Sequence, residues 1–125
     1  MLYILYSLYY LSLIDVKHII LFEDINYSIS LENIVYNELI GKGYKVFVGK
    51  TKKGEIDFIA SKNNKFKYIQ VCFNLDDEIT RHREFSAFDE IEGNEKYIIT
   101  LSKKDYSTDS VKQINVFDFL MSDTF

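Results

Sequence analysis

Proline and tryptophan are absent from these 125 residues, cysteine occurs once, at Cys72, and histidine twice, at His18 and His82. A single cysteine rules out an internal disulfide and any zinc site built on several thiolates. A reducing, cytoplasmic setting is the simplest expectation. Long apolar runs are also lacking, with one short exception: MLYILYSLYYLSLI, the fourteen residues before Asp15. A membrane helix needs roughly 20 such residues. This stretch also has neither a basic flank nor a small-residue cleavage site, so it reads as neither membrane span nor secretory signal. It is expected to lie within an apolar N-terminal segment, residues 1–28, that packs on the core or against a partner segment. Internal repeats and low-complexity linkers are missing too, which leaves one domain over residues 29–121.

What is present points to a packed core. Hydrophobic residues make up 47% of the chain and aromatics 16%, with ten Tyr and ten Phe, which excludes a disordered tail. Those aromatics, with abundant Ile, Lys and Asn, fit an AT-rich coding sequence as well as any function. The net charge of −4 conceals an asymmetry. Residues 42–67 carry eight lysines against Glu55 and Asp57, a local charge of +6. Such a stretch suits phosphate contact. It equally suits solvated lysines that guard turns and strand edges from pairing.

The coarse order of elements is legible. Ser30 is the expected N-cap of a helix over residues 31–40 that ends near Gly41 and Gly43, with Leu31, Ile34, Val35 and Leu39 on its apolar face and Glu38 toward solvent. Strands are expected over residues 44–48, 55–60 and 66–73, the last two joined by a turn at Asn63-Asn64. Asp76 and Asp77 open a second helix with Phe85, Phe88 and Ile91 on one face. Tyr97 to Leu101 reads as a buried central strand, and Ile114 to Phe117 as a last strand turning at Asp118. Helix, three-strand meander, helix, strand, strand implies an α/β domain: a mixed sheet flanked by helices.

Gly49-Lys50-Thr51 imitates the end of a phosphate-binding loop. That motif needs four residues between its glycines and a helix after the Lys-Thr pair. Here five strand-forming residues separate Gly43 from Gly49, and another strand follows, so Gly49-Lys50-Thr51 is a turn. A different chemistry fits better. Metal-assisted phosphodiester cleavage needs two or three carboxylates converging on Mg²⁺, with a cation close by. Glu32 on the first helix, Asp57 on the second strand and Gln70 on the third can meet at one end of the sheet.

Those positions resemble the PD-(D/E)xK, or restriction-endonuclease-like, superfamily and its archaeal Holliday-junction-resolvase branch. Glu32 precedes Gly43-Tyr44, Asp57 precedes Phe58-Ile59-Ala60, and Gln70-Val71-Cys72 stands where that superfamily carries Glu-x-Lys. More closely, LENIVYNELI, GEIDFIA, YIQVCF and INVFDFL resemble the DUF4143 region found at the C-terminus of prokaryotic AAA-type ATPases. The resemblance implies a restriction-endonuclease-like core and, if the site is active, Mg²⁺ held by Glu32, Asp57 and Gln70. It also implies an ATPase domain as a partner in the same assembly, and a homodimer by analogy with resolvases. Two departures weigh against activity. Gln70 brings an amide oxygen but no negative charge, and Cys72 brings a neutral thiol in place of a cation.

The expectation is therefore a catalytically degenerate nuclease fold, with Glu32, Asp57, Gln70 and Cys72 as a vestigial site, that works in DNA binding or protein interaction. An active Mg²⁺-dependent DNA endonuclease is the second reading, and a protein-association domain the third. Lys50, Lys52, Lys53, Arg81 and Arg83 are the candidate nucleic-acid contacts. For the two arginines, charge pairing with Glu84 and Asp77 is the competing expectation. Cys72 reads as a buried structural thiol, since neither His18 nor His82 is placed by the sequence to activate it.

Overall fold

The computed structural model describes residues 25–125, and their side chains from Leu31 onward. The apolar start and His18 lie outside the described residues. Helix α1 spans Ile25–Gly41, followed by strands β1 (Lys45–Thr51), β2 (Gly54–Lys62) and β3 (Lys65–Cys72). Helix α2 (Glu78–Ser86), strands β4 (Glu95–Thr100) and β5 (Lys112–Asn115) and the short helix α3 (Val116–Met121) complete the order. Among the described residues no helix is long and apolar enough to cross a membrane.

The five strands form one sheet in sequence order, β1-β2-β3-β4-β5. The first three pair antiparallel and the last two join in parallel, so the α/β class and the mixed sheet stand as expected. The parallel β3–β4 step is made through α2, the usual crossover unit. The β4–β5 step is made by residues 101–111 without a helix. Gln113 pins that connection by accepting from the Tyr106 N–H and donating to the Lys104 carbonyl, both at 2.8 Å.

Two apolar layers sandwich the sheet. On one face, Leu31, Ile34, Val35 and Leu39 of α1 and Phe119 and Leu120 of α3 pack on Phe58, Ala60, Ile69, Val71 and Ile99. On the other, Ala87 and Phe88, just past α2, pack with Leu75 and Val111 on Ile56, Cys72 and Ile98. Ile56 and Phe58 serve opposite faces although they are two residues apart. The cause is a bulge: Phe47 pairs with Ile59 but Gly49 with Ile56, so Asp57 and Phe58 together oppose Val48. A bulge of this kind reverses the alternation and re-aims one side chain. Here that side chain is Asp57.

Several local expectations are corrected. Ser30 is inside α1 rather than its N-cap, because the helix already runs from Ile25. Its other end is as read: Gly43, at φ +90°, lets Tyr44 N–H reach the Leu39 carbonyl and Gly43 N–H the Ile40 carbonyl, both at 3.0 Å. Glu38 does not face solvent. It is 1% exposed and pairs with Lys42 at 3.0 Å, one turn on, and Lys42 also donates to the Ser122 carbonyl. Val116 and Phe117 belong to α3, since the Asn115 side chain accepts from the Phe117 N–H and starts a helix there. Asp77 does cap α2, accepting from Thr80 N–H at 2.8 Å, but the helix ends at Ser86. Phe88 and Ile91 reach the same apolar layer through tight turns beyond it. Asn63 and Asn64 turn the β2–β3 hairpin with φ of 54° and 61°, conformations asparagine tolerates well.

Candidate functional site: a carboxylate cleft where two strands part

The β2–β3 ladder stops at Phe58 opposite Ile69. Beyond that point side chains take over from the backbone. Gln70 Oε1 accepts the Asp57 N–H at 2.7 Å, and Asp57 Oδ2 accepts the Val71 N–H at 2.8 Å. The parted strands open a cleft of about 580 Å³ at the rim of the sheet. Glu32 from α1, Asp57 from β2, Gln70 and Cys72 from β3, and Arg83 and Glu84 from α2 all line it. The structure thus brings the four residues singled out from the sequence to one place.

The sequence marks Glu84 only as a charge partner for the arginines. It is 8% exposed, receives Gln70 Nε2 on Oε2 at 3.1 Å and Arg83 on Oε1 at 3.1 Å. A sequence signal existed: Glu84 falls four and seven residues before Phe88 and Ile91, on the apolar stripe, where an uncompensated carboxylate is out of place.

Electrostatically the cleft is acidic, with five carboxylates against Lys53 and Arg83 along its lining. Glu32 is pushed up from 4.5 to about 7, first by burial and then by the charges of Asp57 and Glu84. Burial raises Asp57 as well, opposed by its bond from Val71. Burial likewise raises Glu84, opposed by its bond from Arg83. The Cys72 thiol is lifted to about 11 by burial and by Glu84, and donates to the Asn74 carbonyl at 3.3 Å. It is a neutral, structural thiol, with no means of supplying the cation that Lys would bring.

A magnesium ion on Glu32, Asp57 and Gln70 would need oxygens from all three turned to one point. The Gln70 oxygen and one Asp57 oxygen are instead committed to backbone N–H groups of neighbouring strands. Among the described residues, no group of three or more His, Cys, Asp and Glu side chains is disposed to hold a metal. As arranged, these residues do not fit the ion.

The candidate nucleic-acid contacts are largely engaged within the fold. Lys53 pairs with Asp89 at 2.7 Å. Arg81 donates to the Leu75 and Asp76 carbonyls at 3.0 and 3.3 Å and lies 4.3 Å from the Tyr106 ring centre. Arg83 pairs with Glu84 at 3.1 Å while staying largely exposed, so the charge-pairing expectation accounts for Arg83, whereas Arg81 is held by backbone carbonyls. Lys50 and Lys52 are exposed. Nor do the lysines of residues 42–67 make one surface. Lys42, Lys62 and Lys67 gather over Tyr44, Tyr97, Phe119 and Phe125, at the end of the sheet away from the cleft. The Gly49-Lys50-Thr51 stretch is the paired end of strand β1, not the turn expected of it. A Cβ on Gly49 would sit 3.0 Å from the Ile56 Cβ and 2.8 Å from Ile59 Cδ1, so glycine is there for strand packing.

Comparison with known proteins adds a family but no activity. A family model described as "Domain of unknown function (DUF4143)" matches residues 27–119. A Haemophilus influenzae protein described as "Uncharacterized protein" is 37% identical over 107 residues, covering 84% of this chain and 26% of that protein. The chain thus spans about a quarter of that relative's length. No solved structure matches the chain.

Proposed function

Since the chain belongs to the DUF4143 family, we propose that it is a catalytically degenerate, restriction-endonuclease-like module of a larger assembly that acts by binding rather than cleavage. The observation that carries this reading is Gln70 and Cys72 in the cleft, where the PD-(D/E)xK pattern has a carboxylate and a lysine. Gln70 is spent on hydrogen bonds and Cys72 stays neutral, so these two positions supply neither the anionic ligand nor the cation that the pattern places there. The quarter-length match to the Haemophilus influenzae protein supports a partner region, such as an ATPase domain, outside this stretch.

Between the two forms of binding, protein association is the better supported. The cleft is acidic and would repel a phosphate backbone, while the edge strand β1 shows Phe47 and Val48, 55% and 64% exposed. Exposed Lys45, Lys50, Lys52 and Lys65 on β1 and the hairpins keep DNA binding as the second form.

Incubation with linear and branched DNA in Mg²⁺ or Mn²⁺ tests the reading, with Asp57→Asn alongside. No cleavage is expected from either protein. Metal-dependent cleavage that disappears in Asp57→Asn would overturn it in favour of an endonuclease. Salt-sensitive DNA retention without cleavage selects the DNA-binding form, and a concentration-dependent dimer without retention selects association.

A further inference from the structure

We propose that Gln70 is a built-in cross-link that holds the walls of the cleft together without a cation, tying β2, β3 and α2 through one side-chain amide. The inference deepens the non-catalytic reading of the same cleft and rests on it.

The geometry is specific. Gln70 is 6% exposed, its oxygen takes the Asp57 N–H at 2.7 Å, and its NH₂ donates to Glu84 at 3.1 Å. Only one orientation of the amide serves both partners, because the Asp57 N–H needs an acceptor and the Glu84 carboxylate needs a donor. Asp57 completes the arrangement by accepting from Val71 N–H, so the parted strands stay joined beyond the last ladder pair.

A glutamate at position 70 could still accept from Asp57, but would set a second acceptor-only oxygen against Glu84, with Asp57 and Glu32 close by. A cleft so built needs a cation or a proton between the carboxylates. A glutamine needs neither. Removing the amide's hydrogen bonds while keeping its bulk, as in Gln70→Met, strands the Asp57 N–H and takes a donor from a buried carboxylate. The residue that departs from the nuclease pattern is therefore the one that lets the cleft satisfy its own hydrogen bonds.

Thermal melting of the full chain tests this, with Mg²⁺ or Mn²⁺ at millimolar concentration compared against NaCl of equal ionic strength. Wild type is expected to melt at the same temperature with and without the divalent cation. Gln70→Glu is expected to melt lower in chelator and to recover when Mg²⁺ or Mn²⁺ is added. Gln70→Met is expected to melt lower and not respond to either. A wild-type Tm that rises with the cation, and no longer rises in Asp57→Asn, would overturn the proposal by showing a cleft that takes the ion directly. Gln70→Met melting with wild type would overturn the cross-link, and a destabilised Gln70→Glu indifferent to both cations would overturn its role as a stand-in. If Gln70→Glu fails to fold, the wild-type and Gln70→Met arms still decide. A metal response of wild type without DNA cleavage would sink this inference alone, whereas cleavage would sink the non-catalytic reading beneath it.

Discussion

Replacing Glu32 by glutamine should stabilise this protein, and should do so only above the carboxylate's ordinary range. Burial and the neighbouring Asp57 and Glu84 lift Glu32 from 4.5 to about 7. Between those values the folded chain keeps a proton that the unfolded chain has released. The favourable contribution is complete below 4.5, falls as pH rises, and is gone above about 7. At about 1.4 kcal/mol per pH unit, a shift of that size corresponds to about 3 kcal/mol at most. Glu32 keeps part of its surface in water, and screening reduces the effect to about 1–2 kcal/mol. Glutamine preserves the shape and removes the charge. With about 4 °C of Tm per kcal/mol for a domain of this size, Glu32→Gln should melt about 4–8 °C above wild type near pH 8. The two should converge near pH 5. Calorimetry or circular-dichroism melts at the two pH values provide the assay. A variant less stable than wild type at pH 8, or equally displaced at both, would refute the crowding of three carboxylates in one cleft.

Two further outcomes follow from the same packing. Gly49→Val should lower stability by about 1–3 kcal/mol, because the Ile56 Cβ on β2 cannot yield as a flexible side-chain end would. Chemical denaturation measures the loss, and an unchanged midpoint would contradict the strand-packing role of Gly49. The Cys72 thiol, buried and lifted to about 11, should resist alkylation by iodoacetamide at neutral pH in the folded chain and react readily once unfolded. Equal labelling of the two states, followed by mass spectrometry, would contradict the inert reading.

The strands were legible because their cause is local. Alternation in residues 55–60, the apolar run before Thr100 and the two asparagines at the hairpin each act within a few residues. Gly43 told the end of α1 for the same reason. Other features have causes that lie far away in sequence. Glu38 is buried because Lys42 meets it and is itself tethered to the Ser122 carbonyl, on the segment after α3, which no window around residue 38 contains. The start of α1 is hidden in the sequence because a good capping residue, Ser30, competes with a helix that simply continues through it. The bulge at Asp57-Phe58 shows in neither strand alone, only in their register. At the cleft, Glu32, Asp57, Gln70 and Cys72 were found through the spacing of a family pattern. Glu84 was missed because α2 enters the site from the opposite face, and the pattern says nothing of it. The basic stretch is contiguous in sequence but not in space, since the meander holds Lys50, Lys52 and Lys53 at one end of the sheet and Lys42, Lys45, Lys62, Lys65 and Lys67 at the other.

The Asp57 and Gln70 side chains continue the sheet where the backbone ladder between β2 and β3 ends. Amide hydrogen exchange at Asp57 and Val71 measures this most directly. Both N–H groups should be protected to the same degree as ladder amides, and the protection at Asp57 should collapse in Gln70→Met. Exchange at these two positions as fast as at an exposed turn such as Lys53 would contradict it.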